Sequence, residues 1–404
     1  MALFAKRASK AERSKNQKSV STDNIIVKMV GEVDRPLLIV IIALVCIGTI
    51  MVLSSSYAVG DIRFNDSYHF ARSQIVFVFI GFAVMTVVSF PKVYSIVKLA
   101  TYPIYIGALF FNYLVPFYGL TRNGATRWID FMGFEFQPSE LLKFALVLVL
   151  ASYISNNLST VLSVRGFFGI FFHAAPALLA TLLQKHFSAT IILFMLTVVM
   201  YWLAGFSKKL FAIGLGLMSA SALLFYFKGR EIIEKVMPHI LPRIDVWFDP
   251  VSYMSWESGG KGWQPAQSLF AISSGGFWGL GLGQSNQKHG YLPEPYNDYI
   301  FAILAEELGL FGVICVVVLF AVLAYRGYMI CQRATNTFSS LLAFGITSQI
   351  VIQAILNLGV VTNMLPSTGI SLPFFSYGGT SLVILLFEMG ILLAISRFSY
   401  QENG

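Results

Sequence analysis

Four groups of polar residues in an otherwise apolar chain have types and spacings that could do chemistry. In Gln137-Pro138-Ser139-Glu140-Leu141-Leu142-Lys143, an acid and a base three residues apart share one face of a helix start. Pro138 suits the first helical turn and Glu140 suits the positive end of the helix dipole. In Tyr291-Leu292-Pro293-Glu294-Pro295-Tyr296-Asn297-Asp298, two prolines hold Glu294 in an extended turn and Asp298 arrives where loop becomes helix. Glu306 and Glu307 follow at about 12 Å from Asp298 along that helix; Glu306 falls nearer the Asp298 face and Glu307 on the opposite side. The cations Arg122, Arg127, Arg243, Lys261 and Lys288 complete the set. Taken singly these are an ion pair, a helix cap and solvated loop charges. Together, a carboxylate at a lipid boundary and several cations describe a site for an anionic, phosphorylated lipid.

The elements that must position them are membrane helices. Of 404 residues, 56% are apolar and 12% are charged, against about 25% charged in an ordinary soluble domain. A mean hydropathy of +0.71 places most of the chain in lipid. The net charge of +8 is no nucleic-acid footprint, because eight basic residues lie in the first 35, from Lys6 to Arg35. Cys46, Cys315 and Cys331 fit neither a disulfide framework nor a metal spacing. The run from Gly275 to Gly283 lacks the strand and helix of a dinucleotide site and reads as a tight or re-entrant loop.

Apolar runs predict ten spans, near 37–57, 73–90, 95–117, 141–155, 167–183, 187–205, 210–227, 299–324, 338–362 and 380–396. The first is not a cleaved signal peptide, since its polar preface is too long. Lys92, Arg165, Lys208, Lys209, Arg326 and Arg333 then share a side with the basic tail, which predicts cytoplasmic termini. The expected architecture is an all-α integral membrane protein. It has a basic cytoplasmic tail over 1–35, a membrane domain over 36–398 and a short tail over 399–404. Outside lie 118–140, the large loop 228–298 between the seventh and eighth spans, and 363–379.

The motifs themselves are familiar. Asn123-Gly124-Ala125-Thr126-Arg127-Trp128-Ile129 and Phe136 to Lys143 resemble signatures of the SEDS family (shape, elongation, division and sporulation). So do Leu292-Pro293-Glu294 through Ala302 with Glu306-Glu307-Leu308-Gly309, and Pro366 to Gly379. The resemblance implies ten transmembrane helices and a peptidoglycan glycosyltransferase of the bacterial cytoplasmic membrane that polymerises lipid II at its outer face. The implied partners are a class B penicillin-binding protein and, for the division branch, other division proteins at the septum. Tyr291 to Pro295 and the basic tail resemble the division and sporulation branches more than the elongation branch.

Carried over by position, Asp298 is the implied general base. Lys143, Arg127, Arg243 and Lys288 are the implied partners of the diphosphate, where a divalent cation, magnesium or manganese, is a further expectation. Glu140, Glu306, Ser376, Gly378 and Gly379 complete the implied substrate-binding set. One block departs: Gln184-Lys185-His186-Phe187-Ser188 stands where many relatives read Gln-Pro-Asp-Leu-Gly, and no function carries onto His186. The competing expectations are a lipid II flippase, whose key ionisable residues belong near the bilayer midplane, and a scaffold indifferent to Asp298.

Overall fold

A computed structural model describes residues 31–122, 125–131, 134–161, 163–205, 241–255 and 260–398. Apolar composition and helical continuity produce α1 (Arg35–Phe64), α2 (His69–Val88), α3 (Pro91–Leu99), α4 (Thr101–Tyr118), α5 (Pro138–Asn156), α6 (Val164–Leu183) and α7 (Phe187–Leu203). After α8 (Leu241–Phe248) and α9 (Trp263–Gly275) come the long α10 (Ile300–Arg333), α11 (Thr337–Val361) and α12 (Gly379–Arg397).

Seven of these are long and apolar enough to cross a membrane, or eight if the bent pair α3 and α4 is one span; α7 is a shorter apolar helix of 17 residues. Eight of the ten predicted runs each fall on one helix. The third, 95–117, does not: the chain bends by 68° between α3 and α4, where Ala100 serves as both the C-cap of one and the N-cap of the other. The seventh, 210–227, and the tails 1–30 and 399–404 lie outside the described residues.

Helix α5 is the hub. Its apolar residues leave no polar stripe for water, so it must be surrounded, and from Leu142 to Ala151 no residue is more than 2% exposed. Helices α4, α6, α7 and α11 pack around it, while α12 lies along α2 and α10 against α1 and α11. Around the outside, Phe79, Leu99, Phe117 and Phe172 are exposed, as lipid-facing side chains should be.

Polar contacts collect at the two ends of the bundle. At one, Asp34 caps α1 through Leu37 N–H at 2.9 Å and takes a two-pronged contact from the Arg326 guanidinium. There too Gly31 N–H donates to the Arg397 carbonyl and Tyr94 meets Ser339. At the other end, the expected loop 118–140 is partly a three-stranded antiparallel sheet: β1 (Leu120–Arg122), β2 (Ala125–Phe131) and β3 (Phe134–Phe136). Asp130 pairs with Glu135 and Thr121 with Thr126. Strands of three residues fall below what an alternating pattern can signal, so the sequence reading missed them. Thr380 Oγ1 donates to the Glu135 carbonyl at 2.8 Å and fastens the sheet to α12.

At that same end α10 breaks at Gly309, which adopts φ +65°. The freed backbone groups are taken up by the glycine run: Leu280 and Gly281 N–H donate to the Glu306 and Glu307 carbonyls, and Leu310 and Phe311 N–H to Gly276 and Phe277. Gly279, at φ +79°, makes the approach possible, since a Cβ there would lie 2.1 Å from the Glu307 carbonyl oxygen. Gly283 shares the left-handed backbone, at φ +80°, but faces open space. Gly283→Ala is therefore expected to cost only the backbone strain, about 1–2 kcal/mol. Gly279→Ala must also push the segment off α10 and cost more. Thermal unfolding in detergent checks this, and equal losses would contradict the pairing.

Candidate active site

The turn before α10 is built to hold one carboxylate. Pro293 and Pro295 leave Glu294 in a left-handed conformation, φ +47°, and Asn297 Nδ2 donates to its side chain at 3.1 Å. The loop between α11 and α12 braces the turn: Ser376 Oγ donates to the Asn297 carbonyl at 2.9 Å and Tyr377 N–H to the Tyr296 carbonyl at 2.8 Å. Asn357, on α11, donates through one amide nitrogen to the carbonyls of Asp298 at 2.7 Å and Ile370 at 2.6 Å. Asp298 is partly buried. Burial pushes its carboxyl up to about 6, the charge of Glu294 adds to the rise, and Arg127 on β2 opposes it. A carboxylate with that value can exchange a proton near neutral pH.

Lys143 lies in the second turn of α5 and is 2% exposed. A buried ammonium must be paired: its Nζ lies 2.9 Å from Glu140 Oε2 and 2.6 Å from Gln353 Oε1. Gln353 Nε2 in turn donates to Ser371, carbonyl and hydroxyl, at 3.0 and 3.1 Å. Asn357 and Gln353 are one helical turn apart on α11, about 6 Å along its axis. One face of one buried helix thus grips the base candidate and the cation candidate together.

The remaining predicted residues divide. Lys288 is buried with its Nζ 2.9 Å from Glu307 and 3.3 Å from Ser54 on α1, so it ties its loop to two helices. Glu306 is fully buried and accepts from Ser285 Oγ, Asn286 N–H and Gln287 N–H. Glu307 meets Ser54 Oγ at 2.7 Å. The two acids do not need separate surroundings. They point about 100° apart, and the loop 285–288 wraps that arc and takes both. Both latch the loop 285–288 to the helices. Gly379 lets α2 approach α12, since a Cβ there would strike the Phe77 ring at 2.2 Å, and at Gly378 a Cβ would meet Ser381 Oγ at 2.4 Å. Arg243 belongs to α8, but its side chain, like that of Arg122, lies outside the described residues. Lys261 is exposed.

Sequence reasoning missed the face of α11 and its deepest contact. Gln349 Nε2 donates to both oxygens of Glu388, at 2.8 and 3.0 Å, and Glu388 is fully buried midway along α12. The signal was present: Gln349, Gln353 and Asn357 recur every four residues in an apolar run. Glu140, Gln349, Gln353, Ser371, Ser376 and Glu388 line a cavity of about 20 Å³, room for a water molecule, and Gln349 Oε1 has no partner. Among the described residues no three His, Cys, Asp or Glu side chains gather as metal ligands.

Known proteins share this framework. A profile of the FtsW/RodA/SpoVE family of cell cycle proteins matches residues 35–401. Stage V sporulation protein E of Bacillus subtilis is 38% identical over 373 residues, which cover 91% of this chain and 97% of that protein. A probable peptidoglycan glycosyltransferase FtsW of Geobacter sulfurreducens is 36% identical, covering 92% and 96%. Among solved structures, a peptidoglycan synthase complex described as coordinating polymerization and crosslinking superposes with a TM-score of 0.74 at 23% identity, over 92% of this chain and 99% of its match. The rod shape determining protein RodA of Thermus thermophilus gives 0.65 at 22%, over 92% and 98%. With its matched motifs, its multi-pass helical fold and these relatives, the chain belongs to the FtsW/RodA/SpoVE family.

Proposed function

We propose that this protein is a peptidoglycan glycosyltransferase that polymerises lipid II into β-1,4-linked glycan, with Asp298 as general base. The observation that carries the reading is the grip of α11 on Asp298 and Lys143 at one end of the bundle. Ten spans with cytoplasmic termini, and the loop 228–298 outside, would set that end at the outer face of the membrane. The gathering of Lys92, Arg326, Arg333 and Arg397 within two turns of helix ends away from the site supports that orientation. Named relatives, a sporulation protein and FtsW proteins, support septal synthesis with a class B penicillin-binding protein as partner. RodA-like elongation is the less favoured branch.

In the reaction, Asp298 takes the proton of the sugar 4-hydroxyl as its oxygen attacks the anomeric carbon of the other chain. The bond from that carbon to the diphosphate breaks, and its electron pair leaves with the diphosphate. Displacing an α-linked diphosphate to give a β bond inverts the centre in one step. Negative charge grows on the leaving oxygens, where the fields of Lys143 and Arg127 stabilise it. No step is drawn through a metal.

One feature speaks for the rival, a flippase: Glu388 lies midway along a membrane helix, where transporters place working carboxylates. The cavity beside it, however, has room for a water and not for a sugar headgroup.

Three outcomes follow. Asp298→Asn should lower kcat for labelled lipid II, assayed with the partner protein, by about 10²–10⁴-fold. The wild-type rate should climb as pH rises through about 6, where the carboxyl becomes a base. A mutant at the wild-type rate overturns the base assignment, and lipid II crossing vesicles without polymer favours the flippase. Lys143→Met should cut kcat/KM by about ten- to a hundredfold. Because it also strands Glu140, the double variant Glu140→Gln with Lys143→Met is the control. Recovered activity would reduce the pair to architecture; persistent loss supports the diphosphate role.

A further inference from the structure

The turn joining α6 to α7 holds a side chain that the mechanism above does not use. His186 is 5% exposed and precedes α7, yet its ring makes no cap. Its backbone is satisfied, with N–H donating to the Thr181 carbonyl at 2.9 Å and the carbonyl accepting from Thr190. The ring Nδ1 is buried without a partner.

The turn is pinned to the site from both ends. Gln184 Nε2 donates to Asn112, carbonyl and side chain, at 2.7 and 3.2 Å, and Asn112 Nδ2 donates to the Pro138 carbonyl at 2.9 Å, next to Ser139 and Glu140. Ser188 Oγ donates to the Thr368 carbonyl in the last outer loop. The turn and the elements tied to it hold further buried atoms with no partner: Ser139 Oγ, Gln184 Oε1 and Thr368 Oγ1. Buried polar groups left without hydrogen bonds are rare and need an explanation. They sit on separate elements that the contacts above tie to the turn, and each can take one more hydrogen bond.

The charges nearby say which ligand. Burial, then the fields of Arg127 and Lys143, hold the imidazole well below its usual range. It is therefore neutral, with one N–H to donate and one nitrogen to accept. A third cation is excluded from this place, but a neutral donor beside two cations is suited to an oxyanion bearing several acceptor oxygens.

We propose that His186 donates a ring N–H to a non-bridging oxygen of the substrate's diphosphate, so that the turn Gln184 to Ser188 forms part of the leaving-group subsite. The inference rests on the polymerase reading for its substrate. No proton is transferred: as the glycosidic electron pair arrives on the diphosphate, the hydrogen bond strengthens and the imidazole stays neutral.

The test uses the full-length protein in detergent, in an Asp298→Asn background for binding and with Asp298 intact for turnover. Undecaprenyl diphosphate and undecaprenyl monophosphate are the probes, and His186→Leu, His186→Asn and His186→Gln the variants. His186→Leu should weaken the diphosphate lipid by about ten- to a hundredfold and the monophosphate far less. Whichever amide variant places its nitrogen where the donor sits should recover most of the loss. Without lipid, His186→Leu should melt no lower than the parent, because it removes an unpartnered buried atom. It should also lose the rise in melting temperature that the diphosphate lipid gives. Unchanged diphosphate binding in His186→Leu overturns the proposal, and so does a loss equal for both lipids together with a destabilised apo protein. If wild type binds diphosphate through His186 but never polymerises lipid II, the subsite stands and the polymerase reading fails.

Discussion

Everything at the Asp298 end of this bundle depends on the need of polar side chains in a lipid-embedded protein to be satisfied by protein. Helix α11 meets that need with three amides at four-residue spacing, Gln349, Gln353 and Asn357. Each reaches a different element: Glu388 on α12, Lys143 on α5, and the backbone beside Asp298. An amide suits this work because it donates and accepts at once. Gln353 accepts from the Lys143 ammonium while donating to Ser371. The register of one helix therefore fixes the separation of the proposed base and the proposed cation.

A second set of buried charges ties the loop 285–288 to the helices. Glu306 and Glu307 would be costly inside a membrane helix without partners, and the break at Gly309 with the incoming glycine run gives them a loop to bind. Lys288 and Ser54 complete that cluster. Removing one partner from such a pair leaves a stranded charge, so changes there should report on folding. The chain thus separates its expensive residues into a latch at 285–307 and the proposed working set around Asp298, Lys143 and Arg127.

Much of this was legible in the sequence. Length and apolarity placed eight spans on single helices, and Pro138-Ser139-Glu140 announced the start of α5 with its pair to Lys143 already in reach. Asp298 was visible as an acid at a loop-to-helix boundary. What escaped was anything set by three-dimensional pairing. The bend at Ala100 sits inside one apolar run, and β1 and β3 are too short to show alternation. The destination of Lys288 depended on a loop wrapping a broken helix. Gln349, Gln353 and Asn357 showed the right period but, being uncharged, looked like tolerated polarity. Glu388 was passed over because a lone acid within a span has no local partner in sequence.

The central claim is that α11 assembles base and cation as one unit, and a double-mutant cycle on kcat/KM for lipid II polymerisation with Asn357→Ala and Gln353→Ala tests it most directly. If both act through one assembled site, the losses should be strongly non-additive, with a coupling of about 1 kcal/mol or more. Losses that add to within about 0.3 kcal/mol would contradict the claim and make the two amides independent pieces of packing.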